Sequence, residues 1–266
     1  MQYSLVDIGA NLAHDSFDDD REAVLQRAFD AGVSRIVITG SSDDSNVQAA
    51  KLAATQPGVL YATAGVHPHH AADYTDKSDA LIRELANEDS VVAIGECGLD
   101  YFRNFSPREA QLEAFRRQLD IAKDCGLPVF LHQRDAHDDF VEVLEAALPD
   151  LTRAVAHCFT GEGESLHEYV AMGLYIGITG WICDERRGQH LHSIVSVIPD
   201  DRLLIETDAP YLLPRNIRPR PKSRRNEPGL LPYVLETVAE ARGQSVEHVA
   251  DITTQNAIRF FAMDNS

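Results

Sequence analysis

The sequence predicts a single α/β domain with the (β/α)8, TIM-type barrel fold, and three observations carry that prediction. Eight short apolar runs of strand character alternate with segments of helical character. The runs begin roughly 20–40 residues apart, the length of a βα unit. The chain has 266 residues, about the size at which such barrels form one domain, so residues 1–266 are read as one unit. An open, doubly wound sheet is the structural alternative.

The elements follow in order. Ser4-Leu-Val-Asp-Ile8 reads as the first strand, and Asp18-Asp-Asp20 offers negative charge to the start of a helix that Gly32 ends. Arg35-Ile-Val-Ile-Thr39 is the second strand; a helix from Asn46 stops at Pro57-Gly58. The third strand, Leu60 to Gly65, runs into His67-Pro-His-His70, and a helix over 80–86 precedes the fourth strand at Val91. The next helix is predicted to open on a capping box of Ser106 and Glu109 with Pro107 at its first position, and Leu112, Phe115 and Leu119 form its apolar stripe. Pro128-Val-Phe-Leu131 and Arg153-Ala-Val-Ala156 are the fifth and sixth strands, with helices after each over 140–148 and 164–172. Leu174 to Thr179 and Leu203 to Glu206 are the last two.

Four of these runs end in residues that bind metals. Val91-Val-Ala-Ile-Gly stops at Glu96, the fifth strand at His132, the sixth at His157, and the eighth leads to Asp208. A lone histidine at a strand end is usually a structural hydrogen bonder, and a lone acid usually a helix cap. Four at matching places form a ligand set, because catalytic residues of a barrel come from several strand ends at one face. A cation there generates hydroxide near neutral pH and neutralises charge on a phosphoryl or carbonyl oxygen. Asp208 is read as ligand, water-orienting group or general base. Mixed nitrogen and oxygen ligation suits Zn²⁺ or Mn²⁺ and less naturally Mg²⁺, so ligand type alone does not name the ion. His67 and His69 are read as phosphate contacts or proton-transfer groups, and Asp100 as a partner of a ligand. Cys97 and Cys158 are packing residues, and the remaining histidines, His14, His137, His167, His190, His192 and His248, face solvent.

The formal charge is −18, which argues against broad affinity for nucleic acid. Residues 215–225 are the exception: six of the eleven, Arg215, Arg218, Arg220, Lys222, Arg224 and Arg225, are cationic, and three prolines make the stretch a loop. A cationic collar following Asp208 suggests an anionic polymer substrate. Arg186 and Arg187 add two cations, and Trp181 or Tyr211 offers a ring to a base. The chain shows no signal peptide and no run of ~18 apolar residues, so no membrane is expected. Four scattered cysteines without CxxC pairing indicate free thiols in a reducing, cytoplasmic setting.

These residues resemble the TatD family of metal-dependent deoxyribonucleases. The similar stretches are Gly65-Val-His-Pro-His69, Gly95-Glu-Cys-Gly-Leu-Asp100, Leu131-His-Gln-Arg-Asp-Ala136, His157-Cys-Phe-Thr-Gly161, Glu206-Thr-Asp-Ala-Pro-Tyr211 and Asn256-Ala-Ile-Arg-Phe-Phe261, spread over essentially the whole chain. The resemblance implies a barrel of the metallo-dependent hydrolase type. It also implies Mg²⁺-dependent 3′→5′ exonuclease activity on single-stranded DNA and RNA, and a part in repairing oxidised DNA. It places ligands at Glu96, His132, His157 and Asp208, with His67 near the scissile phosphate. Glu96, His67 and Asp208 are then the catalytic set, and His67, His69, Arg187, Arg215, Arg224 and Arg225 the substrate contacts. Many relatives begin Asp-x-His-x-His; here Gly9 and Asn11 replace both imidazoles after Asp7. That favours an oxygen-preferring site tolerant of Mg²⁺, with one or two ions and Mn²⁺ or Zn²⁺ as alternatives. A monomer is expected. Competing readings are hydrolysis of esters in misacylated tRNA, hydrolysis of small amides or lactones, and a non-catalytic metal-bearing interaction protein.

Overall fold

The computed structural model describes residues 4–263. Its strands are β1 (Leu5–Ala10), β2 (Val33–Ile38), β3 (Leu60–Ala64), β4 (Val91–Asp100), β5 (Val129–Arg134), β6 (Ala154–Ala156), β7 (Tyr175–Ile178) and β8 (Leu203–Ile205). Between and after them lie α1 (Arg21–Asp30), α2 (Asp43–Ala53), α3 (Asp76–Leu85), α4 (Arg108–Cys125), α5 (His137–Ala147), α6 (Gly163–Ala171), α7 (Gln189–Ile194), α8 (Leu231–Arg242) and α9 (Val246–Phe260). The eight strands form one sheet in sequential order. A parallel bridge between Ala10 and Ala209 links the first strand to the segment after the last. A sequential sheet with a helix after each strand is the (β/α)8 barrel, as the sequence predicts.

Contacts divide the described chain into two compact units, residues 4–37 with 158–259 and residues 38–157 with 260–263. In the second, Phe115 and Phe140 stack with centroids 5.5 Å apart, and Ile94, Phe130 and Leu131 are fully buried with them. Buried glutamines of α4 tie its helix to the loops. Gln118 accepts from Val66 N at 2.7 Å and donates to Val66 O at 3.1 Å. Gln111 accepts from Asp100 N at 2.8 Å and donates to Ser106 O at 2.9 Å.

In the first unit β1 carries a buried acid. Asp7 accepts from Thr207 N at 2.9 Å, from Thr207 Oγ1 at 2.5 Å and from Gly9 N at 3.3 Å. Burial outweighs these bonds, the nearby Glu206 adds to it, and the carboxyl is pushed up to about 7. A native pKa above the unfolded value of 3.8 means that the folded chain holds the proton longer. That contribution is complete below pH ~4 and is lost as pH rises through 7. In chelator, Asp7→Asn should therefore gain on the parent chain by an amount on the order of 4 kcal/mol between pH 4 and pH 8. Urea unfolding of both chains at the two pH values measures it; a pH-independent difference would remove the protonated Asp7 from the account.

Several elements differ from the sequence reading. The strand predicted to end at Glu96 continues to Asp100, so Glu96 lies inside β4, and His132 lies inside β5. The capping box at Ser106 and Glu109 is absent: Pro107 caps α4 without a side-chain bond. Ser106 is buried and its hydroxyl serves a tertiary contact, donating to His69 O and accepting from Ala72 N, both at 3.0 Å. Helix α3 starts earlier than predicted, because Thr75 and Ser78 form a capping box there. His190 and His192 are half-buried, joined to Thr160 O and Ile182 O at 3.2 and 2.9 Å. Helices α7, α8 and α9 have no counterpart among the elements expected from the sequence.

Candidate metal centre

The second unit gathers six of the singled-out side chains, His67, His69, Glu96, Asp100, His132 and His157. Two glycines of β4 make the geometry possible. Gly95 and Gly98 both have φ +140, and a Cβ on either would run into the backbone oxygen of Phe130 or of His132. The β4–β5 register shifts between Gly95 and Cys97, which takes Glu96 out of the ladder. Its N–H turns to Gly40 O at 2.7 Å. Its carboxylate, buried, becomes the hub of three imidazoles. Glu96 Oε1 lies 2.7 Å from His157 Nε2, 3.1 Å from His132 Nδ1 and 3.3 Å from His67 Nε2.

Each histidine is placed by its own element. His132 pairs in register with Gly98. His157 follows β6, its N–H on Leu131 O at 3.0 Å and its ring stacked on Phe130 at 4.4 Å. His67 precedes a short 3-10 turn; its N–H donates to Ser41 O at 2.9 Å, and its Nδ1 accepts from His69 N at 3.1 Å. The rings of His132 and His157 lie 5.9 Å apart, and those of His67 and His132 4.4 Å.

Asp100 ties this group to its surroundings. Its Oδ2 meets His69 Nε2 at 3.0 Å and His132 Nε2 at 3.3 Å, and its Oδ1 accepts from Arg103 N at 2.7 Å. The charges follow from these contacts. Burial opposes ionisation of Glu96, but His157, His67 and His132 outweigh it and hold the carboxyl well below its ordinary value. Asp100 is likewise held low, burial being outweighed by His132, His69 and the Arg103 N–H. Burial would lower His132, yet its bonds to Asp100 and Glu96 raise it. Burial dominates at His67 and brings it down to about 4, leaving a neutral imidazole.

A carboxylate between neutral or exchangeable imidazole nitrogens is a donor set for a divalent cation. Ligand atoms of His67, Glu96 and His132 all lie within 4.8 Å of one another. A cation would displace the protons these groups share, so binding releases protons.

The other predicted residues lie in the first unit. Asp208 has φ 53 and follows β8; its N–H donates to Gly9 O at 2.8 Å, and its Oδ1 accepts from Asn11 Nδ2 at 3.2 Å. Gly9 and Asn11 thus orient Asp208. Arg187 pairs with buried Asp184 at 2.8 Å and lies over Trp181 at 4.3 Å. Arg215 lies 3.5 Å from Glu185. Arg225 is engaged by Asp20 at 2.7 Å, by Ser16 O and by the face of Phe17. Arg224 is exposed, and residues 215–225 form the loop that their prolines predict.

A (β/α)8 sheet order with a buried carboxylate ringed by imidazoles is the arrangement of a metal-dependent hydrolase. The family model for TatD related DNase matches residues 6–262. A protein of Erwinia billingiae named 3′-5′ ssDNA/RNA exonuclease TatD is 51% identical over 259 residues, covering 97% of this chain and 99% of its own. One of the same name from Pantoea vagans is 52% identical, covering 97% and 100%. Among solved structures, the TatD homologue YJJV of Escherichia coli K12 superposes with a TM-score of 0.90 at 29% identity, over 99% of this chain and 100% of that one. The TatD-family hydrolase of Entamoeba histolytica gives 0.88 at 27%, over 99% and 100%. The chain belongs to the TatD-related DNase family. Among the described residues no helix is long and apolar enough to cross a membrane.

Proposed function

We propose that the protein is a metal-dependent exonuclease that removes nucleotides from the 3′ end of single-stranded DNA or RNA, acting as a single catalytic domain and a cytoplasmic monomer. The observation that carries this reading is the convergence of His67, His132 and His157 on one oxygen of Glu96. Glu96, His132 and His157 are assigned as ligands, and Asp208 joins them on its motif, Glu206-Thr-Asp-Ala-Pro-Tyr211. When bound, the cation activates water and offsets charge developing on the phosphoryl oxygens. Mg²⁺ is assigned as the working ion, since Gly9 and Asn11 remove two imidazoles from the family pattern.

The residues divide the remaining work. His67, neutral through burial and accepting at Nδ1 from His69 N, carries its one N–H at Nε2, which would turn from Glu96 to the scissile phosphate once a cation occupies the carboxylate, without adding a full charge. Asp100 fixes the rings of His69 and His132, and His69 faces the phosphate next to the one cut. Asp208 takes a proton from the attacking water. Arg187, Arg215 and Arg224 hold backbone phosphates, and Arg225, through Asp20, orders the end of the collar. A place in repairing oxidised DNA follows from the trimming of damaged 3′ ends.

An oligonucleotide labelled at one end or the other tests polarity and dependence together. With Mg²⁺, the 5′-labelled strand should shorten through a ladder, the 3′-labelled strand should release mononucleotide at once, and chelator should stop both. The rate under subsaturating conditions should fall with salt, each phosphate contact adding about 0.7 to the log–log slope. The reverse labelling pattern would overturn the polarity, and cleavage unaffected by chelator would overturn the metal dependence.

A further inference from the structure

Beside the candidate metal centre the second unit exposes two phenyl rings. Phe105 is 67% and Phe102 53% exposed, on a chain whose other phenylalanines are buried or, at Phe29, half-buried. Both lie in residues 101–107, between β4 and α4. This loop is fixed rather than slack. Asp100 Oδ1 receives the Arg103 N–H, Asp100 O receives that of Asn104 at 3.2 Å, and Gln111 bridges Asp100 O and Ser106 O. Ser106 then fastens the loop to His69 O. The rings are therefore presented, at a solvation cost, by a closed hydrogen-bonded frame.

What surrounds the rings indicates what they receive. Residues 101–108 hold two arginines and no acid, on a chain of charge −18. Arg134, from the end of β5, lies over Phe102 at 3.8 Å, and Arg103 lies near the same ring at 5.7 Å. Phe105 leans on His69 with centroids 4.8 Å apart; His69 lies 4.2 Å from His67, and His67 4.4 Å from His132. A continuous row of rings thus leads from the exposed phenyl to the residues around Glu96. Open aromatic faces with cations alongside are how proteins hold single strands without reading sequence, since every base has a π-face. Two rings are far too small a surface for a stable protein interface, which takes roughly 1,000 Å² or more.

We propose that Phe105, backed by His69, is a stacking step for a base near the cleaved end of a single-stranded nucleic acid, with Phe102, Arg103 and Arg134 holding the adjoining sugar and phosphate. This deepens the exonuclease reading and rests on it for the identity of the strand. It gives Phe105 a part in substrate binding separate from the collar at residues 215–225, and it explains preference for unpaired ends, since a paired base has no free face to offer.

The test compares Phe105→Ala, Phe105→Trp and the parent chain in Mg²⁺ buffer. The probes are two fluorescent ten-nucleotide strands with uncleavable phosphorothioate links at the 3′ end, one carrying bases throughout and one abasic at its last three positions. The parent should bind the base-bearing strand more tightly by roughly 5- to 150-fold, the worth of one stacked base. Phe105→Ala should collapse that ratio toward one, and Phe105→Trp should restore it. An unchanged ratio in Phe105→Ala, or equal weakening for both strands, would overturn the proposal. Cleavage of an unmodified strand is followed in parallel. Loss of the ratio without cleavage in any chain supports the step while refuting the nuclease; normal cleavage with an unaltered ratio does the reverse.

Discussion

Glu96→Gln should lower single-strand degradation by ~10³-fold or more while the chain remains folded. The carboxylate is the point at which three imidazoles meet. The amide keeps its shape and one oxygen but loses the charge that makes the cluster a cation site. Removing a donor aimed at transition-state charge costs roughly 10²–10³-fold in mutagenesis of other hydrolases, and loss of the cation itself should cost more. Stability should change far less. The buried bond to His157 is charge-assisted and worth ~2 kcal/mol, which corresponds to a melting shift of roughly 4–8 °C in a chain of this size. Circular dichroism and the end-label assay on one preparation separate the two effects. Full activity in Glu96→Gln would refute the assignment, and failure to fold would show Glu96 to be a structural hub first.

Asp100→Asn should act differently. Asp100 touches two imidazoles and a loop N–H, and in this scheme it meets the cation only through His132. A histidine that gives one nitrogen to a metal usually donates from the other to such a carboxylate, and loss of that partner costs 10–100-fold in metal affinity or activity. The expected signature is a 10- to 100-fold rise in the Mg²⁺ concentration for half-maximal rate, with a smaller change in the rate at saturating Mg²⁺. The asparagine can still accept from Arg103 N, so the loop that carries Phe105 should stay closed. A lower maximal rate with unaltered Mg²⁺ dependence would place Asp100 in the chemistry instead.

Much of this was legible in the residues. All eight strands carry short apolar runs, and the acid and the histidines that follow or interrupt them are visible without a structure. Where the reading failed, a tertiary contact had decided the matter. Glu96 looks like a strand end because a charge normally stops a buried run; instead Gly95 and Gly98 let β4 press against β5 and continue past it. Ser106 and Glu109 have the spacing of a capping box, but a buried hydroxyl bonded to His69 O is not free to cap. Helix α8 was legible, with Leu231, Val234, Leu235 and Val238 at helical spacing and all buried; the cationic stretch before it drew the reading to charge. The collar itself is less free than its composition suggests, since Asp20 holds Arg225 and Glu185 faces Arg215. Phe105 carried no sequence signal at all. Its exposure depends on a loop closed by Gln111 from the following helix.

The most direct test of the account is a Mn²⁺ titration of the parent chain and of Glu96→Gln, followed by the electron paramagnetic resonance of the free ion. The parent should remove Mn²⁺ from solution over the same concentration range in which Mn²⁺ restores cleavage to chelator-treated protein, and Glu96→Gln should lose that binding together with its activity. Superimposable binding curves for the two chains would contradict it, because the imidazoles around position 96 would then not be the residues that hold the ion.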